Sequence, residues 1–269
     1  MAIAALNSAA TGLRALSTKI DVIANNLANA ETNAFKRSRI NFEDLMYTTV
    51  KNPGAQNAAG DIAPAGIQIG HGVKISNTQL DFEQGPMEST DRQLDVAING
   101  DGFLRVKIMD TVGDGTAYTR SGNFFTNSDG DLVLGQKDGP RLLPPITIPQ
   151  NTTDVSIAED GTVSVSTSDA IEQQTLGRLE LTRFINPQGL KALGGNLFVE
   201  TGASGTPLTT NPNEDGAGHI QQGFLEGSNV DPVKELVGLI KTQRSFELNS
   251  QSIQTADQAL QTVANLRRG

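Results

Sequence analysis

Apolar residues recur every seventh position at both ends of the chain, and the middle has a different rhythm. Near the N-terminus the row is Leu6, Leu13, Ile20 and Leu27, with the small residues Ala10, Ser17 and Ala24 interleaved. Near the C-terminus it is Leu239, Phe246, Ile253 and Leu260, interleaved with Gln243, Ser250 and Asp257. A seven-residue apolar repeat is the 3.5 period of supercoiled helices. Each row spans about 22 residues, or about 30 Å of helix. Asp231-Pro232 predicts where the second helix starts, an N-cap acid followed by proline at the first helical position. Arg267 and Arg268 suit the dipole at its C-terminal end.

Between the helices lie two other kinds of sequence. From Val50 to Gly72, Asn52-Pro53-Gly54, Ala58-Ala59-Gly60, Pro64-Ala65-Gly66 and Gly70-His71-Gly72 punctuate the chain. This predicts an extended or irregular connector. From about Ile75 to Gly223 the signals are those of strands. Leu94, Val96 and Ile98 alternate with less apolar positions, and Asn99-Gly100-Asp101-Gly102 turns the chain into Phe103-Leu104-Arg105-Val106. Asn127-Ser128-Asp129-Gly130, Glu159-Asp160-Gly161 and Asn186-Pro187-Gln188-Gly189 mark further turns. Short strands with turns at this density predict a β-sandwich or barrel-like domain.

Composition bears on what such a chain does. Its 269 residues are a prior for about two domains or one large one. Only 37% are hydrophobic, 4% aromatic and 19% charged, so small and uncharged polar residues fill the remainder. That leaves less apolar surface to stabilise a monomer. A net charge of −9 argues against nucleic acid or an anionic membrane as partner. Lys36, Arg37 and Arg39 form only an isolated basic cluster. The absence of Cys excludes disulfides, thiolate metal sites and cysteine nucleophiles, and suits a protein that crosses or works in an oxidising compartment. No stretch approaches the ~20 apolar residues of a membrane span. The first residues lack a basic region and are broken by Asn7, Ser8 and Thr11, so no cleaved secretory signal is expected.

Catalytic constellations are missing. The two histidines, His71 and His219, have no ligand at metal-binding spacing, and no nucleophile elbow, P-loop or zinc-protease motif occurs. Asn127, Asp129 and Asp131 start like a calcium loop, but Leu132 stands where glycine is needed and Asp138 where a longer glutamate is usual. The stretch reads as a β-turn, with a calcium-dependent binding module as a distant alternative. No enzyme activity, cofactor or metal is expected. The helices point to assembly. Between Leu248 and Leu266 the one charged residue is Asp257; Gln251, Gln254, Gln258, Gln261 and Asn265 supply an uncharged polar face. A solvated helix normally carries Glu and Lys, whereas this face suits neighbours or a narrow water-filled channel.

Ala24-Asn25-Asn26-Leu27-Ala28-Asn29-Ala30-Glu31-Thr32-Asn33-Ala34-Phe35-Lys36 resembles the N-terminal signature of the bacterial flagellar rod and hook proteins. Within it Asn25, Asn26, Leu27, Asn29, Thr32 and Phe35 carry the likeness, and Ala34 replaces a usual glycine. Gly223 to Val230 and Leu236 through Leu266 resemble the C-terminal signature, with Phe246 where tyrosine is frequent. Leu94 to Ile98, Gly102-Phe103 and Tyr118 to Gly122 are similar as well. The connector, with Pro53-Gly54-Ala55-Gln56 and Gly66 to Gly70, resembles a segment of the distal-rod branch; a proximal rod or hook paralogue is the near alternative. The resemblance implies an α+β fold with long coiled-coil-like terminal helices packed together, an extended connector and a central all-β domain. Residues 1–45 would pair with 226–269, 46–74 form the connector and 75–225 the outer β domain. It implies a structural subunit polymerising into a helical tube that carries motor torque, with Leu6, Leu13, Ile20, Leu27, Leu239, Phe246, Ile253 and Leu260 at the assembly interface. Gln251, Gln254, Gln258, Gln261 and Asn265 would line the channel. Implied partners are further copies of the chain, proximal rod proteins, the hook protein, the periplasmic and outer-membrane rings and the flagellar type III export apparatus. The implied location is the basal body, from periplasm to outer membrane.

Overall fold

The computed structural model describes residues 2–54, 64–108, 113–136, 139–167 and 173–266. They divide into two units. A helical unit comprises Met1–Ala28, Ser38–Leu80 and Asp231–Gly269; a β unit comprises Asn29–Arg37 and Asp81–Val230.

In the helical unit, α1 (Ala2–Ala28) packs on α2 (Pro232–Leu266). Gly12 meets Asn249, Ile23 meets Gly238 and Asn26 meets Glu235, so the helices run antiparallel, residue for residue. Gly12 costs a helix about 0.5–1 kcal/mol. Its position explains it, because a Cβ there would lie 3.1 Å from the Asn249 amide. Asp231 starts α2 as read, its Oδ1 accepting the N–H groups of Val233 at 3.0 Å and Lys234 at 3.1 Å. Arg267 and Arg268 lie outside the described residues.

Residues 38–54 and 64–80 form a β arm beside α1. Strand β1 (Ser38–Asp44) pairs antiparallel with β4 (Val73–Leu80), and β2 (Tyr47–Lys51) pairs antiparallel with β3 (Ile67–Gly70). The sequence reads 46–74 as an extended connector; the described part instead folds back on itself. Thr48 faces Ile69, Thr49 faces Gln68 and Lys51 faces Ile67, with Val50 at a register shift; the β-branched residues among them are strand formers, and this pairing outweighs the punctuating Pro and Gly. Val73 N–H donates to Thr11 Oγ1 at 3.3 Å, and at Gly72, where φ is +108, a Cβ would collide with Thr11. That glycine lets the arm lie close against the helix.

The largest sheet of the β unit is antiparallel, in the order Lys191–Gly194, Leu197–Val199, Thr116–Thr119, Phe103–Lys107, Arg141–Leu143, Leu132–Leu134, Phe124–Thr126. Leu181–Arg183 also pairs with Phe103–Lys107. Thr152–Ile157, Thr162–Thr167 and Gln174–Arg178 make a second sheet, and Val96–Asn99 pairs with His219–Gln222. One apolar core joins them, with Leu104, Phe124, Leu142, Val163, Leu181 and Ile220 fully buried. Phe82, Phe103, Phe184, Phe198 and Tyr118 pack edge to face at 4.8–6.2 Å.

Candidate assembly surfaces and chain junction

The seam between α1 and α2 is narrow. Ala15, Ile23 and Asn26 of α1 and Thr242 of α2 are its buried residues. Leu6, Leu13, Ile20 and Leu27 are half-buried beside it, as are Leu239 and Ile253, while Phe246 and Leu260 are exposed. The row interleaved with Leu239 and Ile253 falls on Glu235, Thr242 and Asn249 and not on Gln243, which is exposed. The step from Leu239 to the next seam position is three residues instead of four, and a period of 3.5 permits either. The remaining circumference of α2 is open. Val233 is 71% exposed and Leu248 63%, with Leu236, Val237 and Ile240 between them on the surface. Gln251, Gln254, Gln258, Gln261 and Asn265 are all exposed farther along, with Gln261 donating to Asp257 at 2.9 Å.

The N-terminal signature spans both units. In the helical unit the buried Asn26 accepts Ser38 N–H at 2.9 Å and donates to Ser38 O at 2.9 Å, imitating a strand partner. Asn25 lies exposed on α1. In the β unit, Asn29 Oδ1 accepts the Thr32 hydroxyl at 3.2 Å, and Phe35 N–H donates to Thr32 O at 3.1 Å. Ala34, where the family has glycine, keeps the left-handed conformation that glycine favours, with φ 58. It is fully buried and its N–H donates to Glu226 O at 2.7 Å.

Beside that turn the β unit holds a buried ion triad that the sequence reading missed. Glu226 Oε1 accepts Lys36 Nζ at 2.7 Å and Gly85 N–H at 2.9 Å, and its Oε2 accepts Arg120 Nε at 2.7 Å. Lys36 also donates to Glu83 O at 2.6 Å. The Arg120 guanidinium donates to the carbonyls of Gly102, Ile98 and Gly100 at 3.0–3.2 Å. Side-chain exposure is 0% for Lys36 and Glu226 and 4% for Arg120. Burial pushes the Glu226 carboxyl up, but the Arg120 and Lys36 charges together hold it below the usual carboxylate range. Lys36 has one anion and a second cation for neighbours, and burial lowers its ammonium from the ordinary 10.5.

Next to the triad, Asn229 Oδ1 accepts Arg37 N–H at 2.7 Å, and its Nδ2 donates to Asp81 O at 2.8 Å and Glu83 O at 3.0 Å. Asp81 N–H donates to Arg37 O at 2.8 Å, and the two side chains pair at 2.6 Å. The basic cluster is thus three separate contacts: Lys36 with Glu226, Arg37 with Asp81, and, in the helical unit, Arg39 with Gln79 at 2.9 Å. Their one signal in the sequence was that Lys36, Arg120 and Glu226 each lie in a signature segment.

The calcium-like stretch is a turn. Asn127 Oδ1 accepts the N–H groups of Asp129 and Asp131 at 2.9 and 2.8 Å, and both carboxylates face Arg141, at 3.5 and 3.0 Å. Asp138 lies outside the described residues. Among the described residues no group of three potential metal ligands occurs, and no helix is long and apolar enough to cross a membrane.

Known proteins resemble the chain along its length. Residues 6–36 match the family described as flagella basal body rod protein, residues 97–165 the flagellar hook protein FlgE/F/G D1 domain, and residues 221–266 the flagellar basal body rod FlgEFG protein C-terminal region. The flagellar basal-body rod protein FlgG of Caulobacter vibrioides is 45% identical over 264 residues, 98% of this chain and 99% of that one. FlgG of Borreliella burgdorferi is 45% identical over 267 residues, 98% of each chain. The flagellar hook-basal body complex protein FlhP of Bacillus subtilis is 31% identical over 272 residues, 97% of this chain and 98% of that one.

Proposed function

The chain belongs to the flagellar basal-body rod protein family and is a structural subunit of the distal rod, and on that premise we propose that its helical unit builds the inner wall of a helical tube carrying motor torque to the hook. The terminal helices act as a coiled-coil-like pair within residues 1–45 and 226–269. The Gln251, Gln254, Gln258, Gln261 and Asn265 face lines the channel, the arm within 46–74 braces neighbours, and 75–225 faces outward. The family is a structural one of the basal body. Its further partners here are proximal rod proteins, the hook, the periplasmic and outer-membrane rings and the type III export apparatus, and it catalyses no reaction.

The outer face of α2 is the observation that supports this reading. Val233, Leu236, Val237, Ile240 and Leu248 are apolar, exposed and set along one helix. Burying each such side chain contributes about 1.5–3 kcal/mol, which a lone subunit forgoes and neighbouring copies recover. Leu236→Asp or Ile240→Asp places a carboxylate in that packing and should abolish rods in a complementation strain, with melting of the β unit unchanged. A fall in β-unit melting would show that this face stabilises a subunit and not an assembly.

A further inference from the structure

We propose that Asn229 closes a three-chain clasp through which load enters and leaves the β unit, an inference that rests on the torque-bearing reading above. The chain passes out of or into this unit after Arg37, before Asp81 and after Val230. Residues at those three points are widely separated in sequence, yet they are bonded to one another. The Asn229 side chain makes three of the four hydrogen bonds an amide can make, one to the Arg37 N–H and two to the Asp81 and Glu83 carbonyls. Asn229 N–H reaches Phe35 O at 3.4 Å, and Asp81 N–H reaches Arg37 O.

A single linker is a swivel, since two soft dihedrals per residue let it turn. Three linkers cross-bonded side by side cannot turn independently, and a hydrogen-bonded polar network is stiffer than its separate bonds. The triad roots the clasp. Glu226 holds Lys36 from the first segment and the Gly85 N–H following the second, while Arg120 anchors that carboxylate to three carbonyls of the β unit. Asn229 is a positioning residue here: it touches no partner molecule and acts by keeping the three exits together.

The test uses Asn229→Ala in the full-length chain, read two ways. By amide hydrogen exchange, Arg37 and Asp81 should exchange together at least 10-fold faster, with Leu104 and Val163 unchanged. Unchanged exchange at Asp81 overturns the clasp. In cells, the variant should build rods in parental number but swim more slowly. A cysteine pair, Arg37→Cys with Asp81→Cys, should restore speed on oxidation. Arg37 and Asp81 are joined by one backbone bond and by their side chains at 2.6 Å, which sets them side by side for a disulfide, and the chain has no other Cys. Rods that swim at parental speed, or a defect that the oxidised pair leaves uncorrected, overturn the mechanical role. Loss of rods altogether assigns Asn229 to assembly and overturns it equally. A parental chain that builds no rods sinks the rod reading and the torque role with it, while the exchange result still decides whether the clasp exists.

Discussion

Replacing Glu226 by glutamine removes the one anion between two buried cations, and its cost follows from the contacts. Lys36, Arg120 and the Gly85 N–H all donate to this carboxylate at 2.7–2.9 Å, and neither of its oxygens reaches solvent. The glutamine amide presents donors to donors and leaves both cations buried without a counter-charge. Breaking a buried pair from one side costs about 3–5 kcal/mol, or a fall of roughly 6–20 °C in melting temperature for a unit of this size. Lys36→Met should behave differently. Arg120 and Glu226 remain paired, one surplus positive charge disappears, and burial already disfavours the Lys36 ammonium. Its cost should be under about 2 kcal/mol, the scale of hydrogen bonds lost against apolar volume kept. pH separates the charge from the shape. The folded Glu226 pKa lies below its ordinary 4.5, so its contribution is fully present above that value and disappears as pH falls through the folded value. The gap between parent and Glu226→Gln should therefore shrink on acidification below about pH 4.5. Tyr118 is buried in the aromatic cluster and Tyr47 is exposed in the arm. A Tyr47→Phe background makes tyrosine emission during a urea melt a reporter of the β unit alone. Equal losses for Glu226→Gln and Lys36→Met, or a gap independent of pH, would refute the electrostatic reasoning.

Two further outcomes follow from particular residues. At Ala34, glycine relieves about 1–2 kcal/mol of left-handed strain but gives back about 0.5–1 in chain entropy and ~0.8 in a buried methyl. Ala34→Gly should thus leave the urea midpoint nearly unmoved, whereas β-branched Ala34→Val should lower the unfolding free energy by more than about 2 kcal/mol; a tolerated valine would mean that the turn is relaxed. Deleting residues 52–70 removes β3, the partner of β2, and should leave export intact while the rods assembled in cells become curved under the electron microscope. Straight rods would mean that the arm is a spacer.

Much of the architecture was legible locally. The seven-residue rows, the Asp231-Pro232 start and the Gly, Asn and Asp turns mark two helices around a strand-rich centre, because periodicity and turn chemistry act over a few residues. The signature asparagines were also visible as a motif, but not what they bond. Tertiary structure decided the rest. Whether Thr242 or Gln243 meets α1 depends on the antiparallel register that Gly12 and Gly238 permit by close approach. That 38–54 and 64–80 make a paired arm depends on strands whose partners lie beyond the Pro and Gly punctuation. Lys36 read as part of an isolated basic cluster; it is the buried partner of a carboxylate 190 residues away. The pairing of a charge carries no period, and its burial is set only when distant segments close over it.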